Sequence, residues 1–206
     1  MAETRIEWTD RVWNPLAGCS RVSTGCMNCY AERMANRLER MGQPLYAGLT
    51  RQTTDGPRWT GTIKLAGAAK LSEPLRRKKP TRYFVNSMSD LFHETVTDEL
   101  LDRVFTVMTM APQHTFMVLT KRPARMREYT TRCKVWPLSN VWLGASVEDQ
   151  AAADERIPHL LATPAALRFL SCEPLLGLTD VAWALSRNRW EIAGGFLDRG
   201  LFSPGL

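Results

Sequence analysis

Tyr83-Phe84-Val85-Asn86-Ser87-Met88-Ser89-Asp90 opens with a short apolar run and breaks into small polar residues. Four later runs repeat the pattern: Thr115-Phe116-Met117-Val118-Leu119, Val141-Trp142-Leu143-Gly144, Leu167-Arg168-Phe169-Leu170 and Trp190-Glu191-Ile192-Ala193. Each is short enough for a strand, and segments of helical character separate the first four. Thr97 stands as a cap before the acidic start of Asp98-Glu99-Leu100-Leu101, the chemistry that a helix N-terminus favours. A short helix is expected around 124–129 and a longer one from about Asp149 to Ala162. Strands alternating with helices predict βαβ units and a parallel sheet. Strands of such a sheet are buried on both faces, which accounts for their near-continuous apolar character.

Toward the N-terminus, Tyr30, Met34, Leu38 and Met41 fall at helical spacing and Gly42 follows as a stop, so a helix is expected from Cys29 to Met41. Ile6-Glu7-Trp8 and Val12-Trp13-Asn14-Pro15 supply a candidate first strand, giving six candidates. The stretch 42–80 reads as a basic insertion with at most a short helix near Leu65–Leu71.

Each run leads at its carboxyl end into residues able to do chemistry. Asn86, Ser87 and Asp90 follow the second; Lys121 and Arg122 the third; Ser146 and Glu148 the fourth; Ser171 and Glu173 the fifth; Gly194 and Gly195 the sixth. Ligands of α/β folds bind beyond the carboxyl ends of the strands. The competing explanation is that these residues cap the following helices, Asp149 foremost.

The first strand leads to Gly18-Cys19-Ser20-Arg21-Val22-Ser23-Thr24-Gly25-Cys26-Met27-Asn28-Cys29, a C-x6-C-x2-C motif. The chain has five cysteines, with Cys133 and Cys172 outside the motif. The polar, acidic N-terminus lacks the apolar stretch of a signal peptide, and no apolar run reaches the roughly 20 residues of a membrane span. A cytoplasmic protein without membrane association is therefore expected. In a reducing compartment, clustered cysteines indicate a metal or catalysis rather than disulfides.

Structural zinc usually takes four protein ligands, and His93, His114 and His159 show no zinc-like pairing. A [4Fe–4S] cluster on three cysteines keeps one iron open, as an enzyme that cleaves S-adenosyl-L-methionine requires. Iron–sulfur is the preferred expectation, zinc the alternative. Cys172 reads as a small buried apolar residue, Cys133 as incidental.

The net charge of +6 is concentrated. Nine Lys or Arg and two acids lie between Arg51 and Arg82, a local +7. Such a segment attracts a polyanion, a nucleic acid or nucleotide, unless it is only a solvated loop.

The run Glu7-Trp8-Thr9-Asp10, Trp13-Asn14-Pro15, Gly18-Cys19, Gly25-Cys26-Met27-Asn28-Cys29-Tyr30-Ala31 resembles the three-cysteine-motif proteins of phages, prophages and actinobacteria. Phe84-Val85-Asn86-Ser87-Met88-Ser89-Asp90-Leu91-Phe92, Leu119-Thr120-Lys121-Arg122-Pro123 and Leu170-Ser171-Cys172-Glu173-Pro174-Leu175 match the same family. The resemblance covers about residues 3 to 195. The family is regarded as radical-SAM-like, and its members largely lack an assigned reaction.

The resemblance implies a partial (β/α)6 TIM-like barrel of radical SAM type, one domain over 1–195. It implies Cys19, Cys26 and Cys29 as cluster ligands. Asn86, Ser87 and Asp90 would lie near the methionine part of the cofactor, Ser146 and Ser171 near its ribose or the substrate, and Gly194 and Gly195 near its adenine. Lys121, Arg122, Glu148 and Glu173 remain as catalytic or substrate-holding candidates. The C-x6-C spacing departs from the usual C-x3-C, and the aromatic follows the last cysteine instead of preceding it. Relatives continue beyond the paired glycines, so 196–206 is expected to be a truncated or frameshifted tail whose exposed sheet edge takes a protein partner. The resulting expectation is an iron–sulfur enzyme acting on a nucleic acid or nucleotide. The alternatives are a non-catalytic zinc- or cluster-containing nucleic-acid-binding protein and an inactive family member.

Overall fold

The structure is a computed structural model that describes residues 6 and 8–184, and the backbone of 185 and 190–192. Among the described residues ten strands and six α-helices follow in chain order. They are β1 (Arg11–Trp13), β2 (Leu16–Ala17), α1 (Tyr30–Arg40), β3 (Thr50–Thr53), β4 (Gly56–Trp59), β5 (Lys64–Leu65), α2 (Ala68–Leu71) and β6 (Arg82–Val85). Then come α3 (Asp98–Thr109), β7 (Thr115–Thr120), α4 (Pro123–Arg132), β8 (Val141–Ser146), α5 (Gln150–Leu161), β9 (Leu167–Ser171), α6 (Ala182–Leu185) and β10 (Trp190–Ile192).

Six strands form one parallel sheet in the order β1-β6-β7-β8-β9-β10. All carboxyl ends therefore lie along one edge. Helices α3 and α5 start at the expected caps: Thr97 accepts from the Leu100 amide, and the Asp149 carboxylate accepts from the Ala152 amide at 2.8 Å. Each satisfies a backbone N–H that the helix itself leaves unpaired.

The main core fills one face of the sheet. Tyr83, Val85, Phe116, Val118, Leu143, Ala145 and Leu170 meet Leu101, Val104 and Met108 of α3, Met126 and Tyr129 of α4, and Ile157 and Leu160 of α5. Trp13 is fully buried, and its indole N–H donates to the Lys70 carbonyl at 2.9 Å, so no polar atom is stranded. On the other face Met117, Phe169, Leu119, Trp142 and Leu167 pack with Trp8, whose ring also meets Phe84 edge-on at 4.9 Å. Gly144 belongs here because the Phe169 ring lies over it: a Cβ would come within 2.5 Å of that ring.

The expected partial (β/α)6 barrel is not what forms. Among the described residues the sheet is open, with β1 and β10 as its edges, and those two strands span three residues each. Among the described residues β6, β7 and β8 lead directly to helices of ten or twelve residues, β1 reaches the eleven-residue α1 only through β2 and the cysteine loop, and β9 leads to the four-residue α6. Closing a barrel needs strands that tilt and stagger around an axis, backed by a repeated outer ring of helices. Three full βα units do not supply that, and the architecture is α/β around an open parallel sheet.

The stretch 42–80, expected as an insertion, is more structured than its composition suggests. It holds the antiparallel β3–β4 hairpin, with Gly56 at φ 105°, and β5, which pairs antiparallel with β2. Its short helix, α2, lies near the expected place. With α1 the insertion encloses a second small core of Ala17, Ala31, Ala35, Leu49, Trp59 and Met88. Among the described residues no helix is long and apolar enough to cross a membrane. Gly194, Gly195 and the tail 196–206 lie outside the described residues.

Candidate functional site

The cysteine loop leaves β2 at the carboxyl edge of the sheet. Gly18 turns the chain with φ 100°, and a Cβ on it would come 2.0 Å from the Thr62 carbonyl oxygen, so both backbone conformation and space demand glycine. Its amide donates to the Met88 carbonyl at 3.0 Å, which ties the loop's start to the segment after β6. Cys26 closes a one-turn 3-10 helix, Thr24–Cys26, and Cys29 is the residue before α1. Tyr30 then donates its hydroxyl to the Ser87 carbonyl at 2.9 Å and docks the start of α1 on the end of β6.

Two ionic clusters hold the loop over the strand ends. The first centres on Asp90, whose carboxylate accepts from the Phe92 amide (3.0 Å), the Thr120 hydroxyl (2.7 Å), the Lys121 amide (3.0 Å) and the Arg122 guanidinium (3.1 Å). Arg122 also reaches Glu94 at 2.8 Å and the Ser20 hydroxyl at 2.7 Å. The His93 Nδ1 accepts from the Thr95 amide at 3.2 Å, so its proton sits on Nε2 and is donated to the Ser20 hydroxyl at 2.9 Å. Ser20 in turn donates to Glu94 at 3.0 Å. Burial, and then the Arg122 cation, hold His93 below its ordinary pKa against the pull of Glu94 and Asp90, which keeps the imidazole neutral near pH 7.

The second cluster centres on Glu148, whose side chain is fully buried. Arg156 donates to it twice, at 2.8 and 3.2 Å, Lys121 donates at 3.2 Å, and so does the Ser23 hydroxyl. Burial raises its pKa. The hydrogen bonds from Arg156 and Ser23, with the Lys121 and Arg156 charges, outweigh that and hold the carboxyl below its ordinary value. Gly25 lies directly over this carboxylate: a Cβ would come 2.8 Å from the Glu148 carboxyl carbon.

The expected residues thus fall into groups. Asp90, Lys121, Arg122 and Glu148 come together beneath the cysteine loop. Both cations are paired with internal carboxylates, so they fasten the loop rather than stand free for a ligand's anion. Ser146 and Ser171 are buried register partners on β8 and β9, and Ser87 donates to Asn14 at 3.2 Å. Asn86 holds left-handed backbone at φ 61°, and its Oδ1 accepts from the Leu16 amide at 3.3 Å. Its buried Nδ2 has no partner among the described residues. Glu173 is exposed and stands apart. Cys133 and Cys172 both pack against the main core.

Sequence reading missed Ser20, Ser23, His93, Glu94 and Arg156. Arg156 did carry a signal. It falls on the buried stripe of α5 with Ala152, Ala153, Ile157 and Leu160, and a cation at a core-facing position needs a buried anion.

Cys19 touches the Ser20 carbonyl at 3.3 Å and the Arg122 guanidinium at 3.9 Å. Burial, and then the Asp90 charge, push its thiol up to about 12 despite Arg122. A thiol so placed is a poor nucleophile at neutral pH. Cys26 lies 3.8 Å from the Ser23 hydroxyl. Among the described residues no three His, Cys, Asp or Glu side chains stand close enough together to hold one metal ion. The three thiols therefore share a loop without sharing a coordination point. The donor chemistry still suits a soft metal: three sulfurs within eleven residues, the last two at the x2 spacing that lets both reach one centre.

Neither the curated proteins nor the solved structures contain a match to this chain. One family model matches residues 3–198, nearly the whole length, and on that match the chain belongs to the family described as protein of unknown function (DUF5131).

Proposed function

We propose that Cys19, Cys26 and Cys29 hold a metal centre, an iron–sulfur cluster in preference to zinc, and that the chain is a radical-SAM-like enzyme of a phage or prophage context. One observation carries this reading: the only three cysteines close in sequence sit on a loop that buried charges fasten across the carboxyl ends of a parallel sheet. That edge is where α/β folds bind their ligands. Held by Cys19, Cys26 and Cys29, such a cluster would supply the electron for reductive cleavage of S-adenosyl-L-methionine.

The chain's own residues have separable parts in this reading. Ser20 and Ser23 fix the loop through Arg122 and Glu148. Because the sulfurs do not converge as placed, metal uptake has to tighten the loop between these anchors. Asn86 offers a buried amide N–H without a partner among the described residues, suited to an acceptor on a bound cofactor. Ser146 and Ser171 lie further along the same edge.

A nucleic acid or nucleotide is the proposed substrate class, on the strength of the basic segment 51–82. Five of its nine cations lie in two places. Arg51 and Arg58 lie on the β3–β4 hairpin, and Arg58 pairs with Asp55 at 3.1 Å. Lys78, Lys79 and Arg82 are exposed at the amino end of β6, the end away from the cysteines.

The test is anaerobic purification and reconstitution with iron and sulfide. About four irons per chain are expected, as in a [4Fe–4S] protein. Cys26→Ala should lose them, and S-adenosyl-L-methionine should change the EPR spectrum of the reduced protein. One zinc and no iron per chain would overturn the enzyme reading in favour of a non-catalytic metal-containing binding protein.

A further inference from the structure

We infer that one face of α1 binds the sugar–phosphate backbone of a nucleic acid. Arg33, Arg37 and Arg40 lie at i, i+4 and i+7, so they share a helix face, and all three are exposed. With Asn36, Met41 and Pro57 of β4 they line an open cavity of about 500 Å³.

Among the described residues no carboxylate is paired with this face. Helix α1 carries two acids, and both are committed elsewhere. Glu32 is buried against Arg21 and accepts from the Trp59 amide at 3.0 Å. Glu39 accepts from the Gly48 amide at 2.7 Å and from the Thr50 hydroxyl at 3.4 Å. The three guanidiniums have no ion pair among the described residues, and the cavity lining contains no acid.

The spacing selects the class of anion. At a rise of 1.5 Å per residue, Arg33 to Arg40 spans roughly 10 Å along the helix. A single phosphate cannot meet all three. A nucleic-acid strand repeats its phosphate every roughly 3.4 Å of duplex axis, so the row covers about three such intervals and each guanidinium can meet a different phosphate. Guanidinium forks suit phosphate oxygens, and the apolar Met41 and Pro57 beside them can pack against sugars. The face is built from residues outside the cysteine loop, so the inference stands whether or not the metal reading does.

The experiment is fluorescence anisotropy of the full chain with a labelled 20-nucleotide single-stranded DNA between 50 and 200 mM salt. Three phosphate contacts on a single strand steepen the log–log salt dependence by about 2, which is roughly a twentyfold loss of affinity over that range. Arg33→Ala/Arg37→Ala/Arg40→Ala should bind at least tenfold more weakly at 50 mM salt and lose about 2 from the slope. The corresponding triple Lys variant should keep the slope, and this guards against misreading a folding defect. Cys26→Ala should bind like the parent, which separates this inference from the metal proposal. It is overturned if the triple Ala variant keeps parental affinity and slope, or if Lys78→Ala/Lys79→Ala/Arg82→Ala alone removes the salt dependence. Equal competition by polyglutamate or by millimolar inorganic phosphate would also overturn it.

Discussion

Replacing Glu148 by Gln tests whether the buried charge cluster holds the cysteine loop. The substitution keeps size and shape but leaves Arg156, 3% exposed, without its anion. Breaking a buried ion pair from one side costs about 3–5 kcal/mol, because the surviving charge stays desolvated. In a domain of this length that is a fall of roughly 6–20 °C in Tm. Lys121 is partly solvated and adds less. Urea unfolding followed by circular dichroism measures the loss, and Arg156→Met should show a loss of similar size. The double variant Glu148→Leu/Arg156→Met should be far more stable than the sum of the singles implies, since neither leaves a charge behind. A single variant within about 1 kcal/mol of the parent, or strict additivity in the double, would refute the reasoning.

Acid stability should report the same carboxylate. Its pKa is lowered in the folded state, so its contribution is complete above the unfolded value of about 4.3 and disappears as pH falls below it. Unfolding free energy of Glu148→Gln should therefore depend less on pH than that of the parent below about pH 4.3, with parallel curves above it. Gly18→Ala should destabilise by more than about 2 kcal/mol, since it combines a positive φ with a backbone collision, and denaturant midpoints will show it. Gly144→Ala should cost about 1–3 kcal/mol by forcing the Phe169 ring aside, a loss that Gly144→Ala/Phe169→Leu should partly recover.

Most of the large sheet was legible because parallel strands advertise themselves as apolar runs. β6 to β9 fall where Tyr83, Thr115, Val141 and Leu167 open their runs, and Thr97 and Asp149 cap as their chemistry dictates. The hairpin in the insertion was illegible for the opposite reason. Thr50–Thr53 and Gly56–Trp59 are polar, half-exposed strands without alternation, although Asp55-Gly56 is a turn signal. The barrel expectation failed because six strands at the right spacing do not say whether six full βα units accompany them. At the site, positions were legible and roles were not. Lys121 and Arg122 lie at the expected strand end, but their pairing with Glu148 and Asp90 depends on side-chain contacts across 27 and 32 residues of chain.

The way the loop is fastened separates structural work from chemistry within it. Its grip on the sheet comes from Ser20 on His93, Gly18 on the Met88 carbonyl, and Ser23 and Gly25 on Glu148, all buried partners. The Cys26 thiol takes little part, touching only the Ser23 hydroxyl among the contacts described, whereas Cys19 meets the Ser20 carbonyl and, at longer range, Arg122, and packs with Cys29 against the second small core. A loop held by Gly18, Ser20, Ser23 and Gly25 leaves the Cys26 sulfur replaceable as far as folding goes. Cys26→Ala should then unfold within about 1 kcal/mol of the parent, whereas Ser23→Ala should cost about 1–3 kcal/mol by removing a donor to a buried carboxylate. If both cost the same, the cysteines are part of the scaffold, and iron loss in Cys26→Ala would report a damaged loop. If they differ as argued, the same iron loss assigns a ligand.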